Sequence, residues 1–159
     1  MNQNHSCKGA LVIRNPAKLH PFLHAATLLE KRVTALLRAS GVSHRQGLIL
    51  DALHRIGPTS QRHLAKEFGI SPGSMSSMTD RLVALGFITR NTNADDRRSD
   101  VLELTPNGLA ILTVVLDVWQ GADDRIETAL GPKKAAQFFA LTAELRNAQG
   151  GRAPEHADG

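Results

Sequence analysis

The chain has 159 residues, of which 42% are hydrophobic and 21% charged, with one cysteine and a formal net charge of +4. The hydrophobic share excludes general disorder, the lone cysteine excludes an internal disulfide, and no apolar run approaches the ~20 residues of a membrane span. The length suits one compact domain, or a subunit whose outer helices complete their core on a partner.

A pI near 9.7 invites a nucleic-acid reading, but the basicity is unevenly placed. Lys and Arg number six against one acid through Val42, eight against seven from Ser43 to Thr105, and five against seven beyond. A claim about DNA must therefore rest on where individual cations stand rather than on net charge.

Residues 1–16 read as a flexible leader. The opening MNQNHSCKGA is polar and lacks the apolar segment and small-residue cleavage site of a signal peptide, so a cytoplasmic location is expected. Cys7 lies in this leader with Lys8 as its only nearby cation, which reads as an exposed, incidental thiol rather than a redox sensor.

Residues 17–42 read as an N-terminal dimerisation helix. From Ala17 to Ala39, apolar residues at Leu19, Phe22, Leu23, Ala26, Leu29, Val33, Leu36 and Leu37 form a stripe opposite Lys18, Lys31, Arg32 and Arg38. His20 and His24 stand at i and i+4 on it, which raises a zinc-responsive alternative. A structural zinc site usually needs four ligands, and no His occurs in the C-terminal helices before His156, so no metal and no other cofactor is expected.

Residues 43–105 hold the most informative pattern. A short helix is expected from Ser60 to Phe68, with Leu64, Ala65 and Phe68 apolar and Gly69 ending it. After the Ile70-Ser71 turn a second helix runs from Ser71 to Leu85, with Ser71 as N-cap and Pro72 at the first helical position. Met75, Met78, Leu82 and Leu85 make its apolar stripe and leave Ser74, Ser77, Asp80, Arg81 and Ala84 on the other face. Gly86 is a natural helix stop. Phe87-Ile88 then extends away, Asp100 to Leu104 returns with alternating Leu102 and Leu104, and Asn91, Asn93, Asp95 and Asp96 suit the turn between them. Arg97 and Arg98 give that hairpin tip two planar donor forks suited to phosphate or a narrow minor groove. Helix, turn, helix and hairpin in this order predict a winged helix-turn-helix, with the second helix in the major groove.

Residues 106–148 read as C-terminal dimerisation helices. The run from Leu109 to Trp119 is apolar nearly all round, which implies burial on more than one side. A last helix from Pro132 to about Ala148 carries Ala135, Phe138, Phe139, Thr142 and Leu145 on one stripe, and residues 149–159 form a polar, flexible tail. The expected fold is thus mainly α with a small β-hairpin wing, the winged helix-turn-helix being flanked by dimerisation helices at both ends.

From about Ser43 to Gly108 the chain resembles the MarR family of bacterial transcription regulators. The residues that carry the resemblance are Asp96-Arg97-Arg98, Leu104-Thr105 and Gly108, with Gln61 to Ala65, Gly69-Ile70-Ser71-Pro72, Gly86 and Arg90 at matching spacing. The chain departs from the pattern at Ser77, where many members carry an Arg on the recognition helix, which leaves more of the binding to Arg81. Candidate DNA contacts are Arg62, His63, Ser71, Gly73, Ser74, Ser76, Ser77, Arg81, Arg97 and Arg98. The resemblance implies a homodimer interlocked through its first and last helices and an inverted-repeat operator with half-sites on the order of 34 Å apart. It also implies repression relieved by a small-molecule effector, for which His24, Arg45 and Trp119 are candidate lining groups. A winged helix used for protein contact is the other alternative. No nucleophile elbow, phosphate-cradling glycine loop or metal cluster points to an enzyme.

Overall fold

A computed structural model of the protein describes residues 18–92 and 100–151. The leader with Cys7, the wing tip with Arg97 and Arg98, and the end of the tail with His156 lie outside the described residues.

Helix α1 (Leu19–Leu37) passes through a single 3-10 turn at Arg38–Ser40 into α2 (His44–Ile56). Ser43 and Gln46 close a capping box on α2: the Gln46 N–H donates to Ser43 Oγ at 3.3 Å and the Ser43 N–H to Gln46 Oε1 at 3.0 Å. Helix α3 (Gln61–Glu67) follows, with Ser60 as N-cap, and α4 (Pro72–Ala84) starts from the Ser71 N-cap with Pro72 in its first turn. Helix α5 (Pro106–Leu130) starts from Thr105, and α6 (Pro132–Ala148) folds back along it. The hydroxyl caps and first-turn prolines satisfy or remove the N–H groups that a helix start leaves orphaned, and for this reason the observed starts of α3, α4 and α6 fall where local chemistry predicts them.

Three short strands form an antiparallel sheet in the order β1 (Thr59–Ser60), β3 (Asp100–Leu104), β2 (Ile88–Thr92). Strands β2 and β3 pair from Ile88 opposite Leu104 to Thr92 opposite Asp100. The hairpin is therefore longer than its apolar residues suggest. Asn91, expected in the turn, is a strand residue opposite Val101, because continuing the ladder satisfies backbone groups that a turn there would leave open. Strand β1 has no signal in the sequence, since two polar residues carry no period; Thr59 pairs with Leu102 and ties the start of α3 to the wing.

Val33, Leu37, Ile49, Leu50, Leu64, Met75, Leu82, Ile88, Leu102, Leu112 and Val115 meet in one core that joins α1 and α5 to the winged helix-turn-helix. On α4 the buried residues are Met75, Thr79 and Leu82, while Met78 is half-buried and Leu85, now the C-cap, is exposed. Elsewhere much apolar surface faces out: Leu19, Phe22, Leu23, Leu28 and Leu36 on α1, Leu109, Val114 and Leu116 on α5, and Phe139, Leu141 and Leu145 on α6 are all exposed.

Candidate nucleic-acid interface

The N-terminal half of α4 is open and studded with hydroxyls. Ser71, Gly73, Ser74, Ser77 and Arg81 are exposed, and a Cβ placed on Gly73 would meet nothing within 4 Å. Ser71 Oγ accepts from the Ser74 N–H at 3.2 Å and also donates to Ser74 Oγ at 2.9 Å. Ser77 Oγ donates to the Gly73 carbonyl at 3.2 Å, one turn back. Each hydroxyl is thus satisfied locally, and rotation about χ1 frees it for an incoming acceptor or donor. Ser76 is half-buried, its Oγ donating to Asp80 Oδ2 at 3.3 Å, so it lies beside the open face rather than on it. Arg62 and His63 are exposed on α3 with Lys66. The helix dipole of α4 adds a modest attraction for phosphate at the same end.

Sequence reasoning does not single out the side chain that locks this helix to the wing. Arg90 Nη2 lies 2.7 Å from Asp80 Oδ1 and donates to Thr79 Oγ1 and Gln61 Oε1, both at 3.1 Å. Thr79 Oγ1 also lies 3.0 Å from Gln61 Oε1 and 3.0 Å from the Met75 carbonyl. Four residues from α3, α4 and β2 therefore share one polar knot, which explains why a threonine is fully buried in the α4 stripe. A weak signal for Arg90 does exist. In a strand starting at Ile88 the period of two puts residue 90 on the same inner face, opposite buried Leu102.

A second junction fixes the wing to α5. Thr105 Oγ1 accepts from the Gly108 N–H at 2.9 Å and lies 2.8 Å from the Gly86 carbonyl, while the Thr105 N–H donates to the Phe87 carbonyl at 3.0 Å. A Cβ on Gly108 would run into the Phe87 carbonyl oxygen and come within 2.9 Å of Leu104 Cδ1. The Leu104-Thr105 and Gly108 motif is thus the point where the first turn of α5 presses on the start of the wing.

The three candidate effector residues stand in different environments. His24 and Arg45 are exposed, and Trp119 commits its indole N–H to His44 Nδ1 at 3.1 Å. A cleft of about 470 Å³ opens elsewhere, where Leu48 and the end of α3 at Lys66 to Gly69 face Gly150 and Gly151 after α6, and none of the three residues lines it. Among the described residues no three His, Cys or carboxylate groups stand together as metal ligands, and no helix is long and apolar enough to cross a membrane.

Comparison with known proteins bears directly on this geometry. Residues 40–99 match the family model described as MarR family. The HTH-type transcriptional regulator YwhA of Bacillus subtilis is 25% identical over 130 residues, which cover 76% of this chain and 94% of YwhA. The HTH-type transcriptional repressor NicR of Pseudomonas putida is 29% identical over 101 residues, covering 64% of this chain and 62% of NicR. Among solved structures, a cysteine-to-serine variant of MarR from E. coli in complex with operator DNA superposes with a TM-score of 0.70 at 21% identity, over 80% of this chain and 92% of that one.

Proposed function

Because this chain is a DNA-binding transcription regulator of the MarR family, with a winged helix fold, we propose that it works as a homodimer on an inverted-repeat operator, as a repressor released by a small-molecule effector. The observation that carries the reading is the open hydroxyl-rich N-terminal half of α4, held against the wing by Arg90. Small side chains there let backbone and Oγ atoms approach base edges, and Arg62, Arg81, Arg97 and Arg98 supply phosphate contacts. The exposed apolar faces of α1, α5 and α6 support the dimer, since side chains of this size in three neighbouring helices need a cover. Two-fold symmetry then sets the two recognition helices about one turn of DNA apart, roughly 34 Å. NicR is named a repressor, and the likeness supports that sign of regulation here.

Release by an effector rests on the family resemblance. A ligand must bind one spacing of the recognition helices better than another, and a 100-fold change in operator affinity corresponds to about 2.7 kcal/mol of difference. The deciding experiment selects bound sequences from a random DNA pool with the purified protein, read against a salt titration. An enriched inverted repeat whose affinity falls by orders of magnitude, roughly 10³, over a few-fold rise in salt is the expected result. No enrichment at any salt would overturn the reading in favour of a winged helix that contacts protein.

A further inference from the structure

Besides the shared apolar core, two polar junctions join the long helix α5 to the DNA-reading unit, and one of them contains a group that titrates. His44, the first residue of α2, accepts the Trp119 indole N–H at 3.1 Å through Nδ1, and the two rings pack edge to face with centroids 5.6 Å apart. The packing is close throughout: a Cβ on Gly47, one turn along α2, would come within 2.8 Å of Val115 Cγ1 and 3.4 Å of Trp119 Cζ2. We propose that the His44–Trp119 pair is a proton-sensitive latch that holds the winged helix-turn-helix at its working angle on α5 and opens in mildly acidic solution, lowering operator affinity.

The chemistry is simple. An Nδ1 that accepts a hydrogen bond carries no proton, so His44 in the latched state is neutral with its hydrogen on Nε2. Adding a proton to Nδ1 turns the acceptor into a donor facing another donor, and the bond to Trp119 must break. The charged groups facing His44 are Glu30 from α1 and Arg45 from α2 itself; α5 offers Trp119, which does not titrate. Burial holds the imidazole below its ordinary value, Glu30 opposes this, and Arg45 adds to it. The start of α2 also places the positive end of the helix dipole beside the ring. The latch is therefore closed at neutral pH and opens only as pH falls below the ordinary histidine value of 6.5. Once open, α2 and α5 lack the polar link that fixes their angle, while the second attachment at Thr105 and Gly108 remains as a pivot.

This inference rests on the operator-binding reading, and its test separates the two. Trp119 is the only tryptophan and the chain has no tyrosine, so ultraviolet emission reports on this site alone. Loss of the hydrogen bond and of the ring contact changes the surroundings of the indole, so emission of the full-length protein titrated from about pH 8 to pH 5 should change in intensity or wavelength in a one-proton step. His44→Gln, which cannot be protonated in this range, should abolish the step. Operator affinity of the parent should drop about fivefold or more across the same step, while His44→Gln holds its affinity. Every ionisable group other than His44 is common to both proteins and cancels in the comparison. Trp119→Phe serves as the second variant should His44→Gln fold poorly: it removes the bond from the other side and should bind less tightly at neutral pH with a flattened pH response. A flat emission profile, or a step without any change in operator affinity relative to His44→Gln, would overturn the latch while leaving the regulator intact. Failure to bind a selected operator at every pH would overturn the regulator itself, and with it the role given to the latch.

Discussion

Arg90 of the wing strand and Asp80 of the recognition helix stand 2.7 Å apart, Nη2 to Oδ1, and the same guanidinium nitrogen reaches Thr79 and Gln61. The pair is only partly shielded, with 29% of the Arg90 side chain and 54% of the Asp80 side chain accessible, so its ionic part is weak. Its importance is geometric. One guanidinium nitrogen ties three elements with directed hydrogen bonds, which apolar packing, having no preferred direction, does not supply.

Replacing Arg90 by Ala should accordingly cost about 1–2 kcal/mol of stability in urea unfolding. It should cost more in operator affinity, because the recognition helix and the wing lose their common reference. Arg90→Lys should recover part of the stability and little of the affinity, since the lysine side chain is shorter and its ammonium lacks the rigid guanidinium plane that aims Nη2 at Asp80, Thr79 and Gln61. Equal losses in both properties for both variants would show that Arg90 contributes to folding alone.

At the other junction, Gly108→Ala should destabilise the protein by about 2–3 kcal/mol, because a methyl group there meets a backbone carbonyl that cannot turn aside. The measurement is the unfolding midpoint. Gly73→Ala is the internal control, since it lies in the first turn of α4 and its added methyl meets only open space. A Gly108 variant as stable as the parent would mean that the start of α5 is free to shift.

The wing arginines and the recognition-helix serines should fail in different ways. Arg97→Ala with Arg98→Ala should weaken binding to all sequences and flatten the salt slope by about one unit for each phosphate no longer neutralised. Ser74→Ala or Ser77→Ala should instead change the ranking of operator sequences. A uniform loss at the serines would assign them to phosphate, and undiminished binding by the arginine double variant would remove the wing from the interface.

Charging the exposed face of α1 should separate subunits without unfolding them. Phe22→Glu with Leu23→Glu places two carboxylates where the chain exposes apolar surface, and neither residue belongs to the buried core. Sedimentation should show a folded monomer with little affinity for a two-fold operator. A variant that remains dimeric would move the interface to other helices.

Much of this architecture is written locally. Ser71-Pro72 starts α4, Ser60 starts α3 and Thr105-Pro106 starts α5, because a hydroxyl cap and a proline act within three or four residues of chain. Hydrophobic period locates α1 and α6 for the same reason. The period is less reliable for burial. Leu19 and Phe22 share a stripe with Val33 and Leu37, yet only the last two are buried in the chain's own core, because a stripe marks which face is apolar and not what covers it.

Local pattern was enough for the helix-turn-helix and wing order, the starts of α3 and α4, the family pattern and the polar face of the recognition helix, all of which depend on neighbours a few residues away. Only the tertiary structure decided that Thr79 is buried, that Asn91 lies in a strand, that Arg90 binds Gln61 across 29 positions and that Trp119 spends its N–H on His44 across 75. Those partners come together through packing of the whole core, and the free energy that selects them is spread over many interactions that no local pattern records.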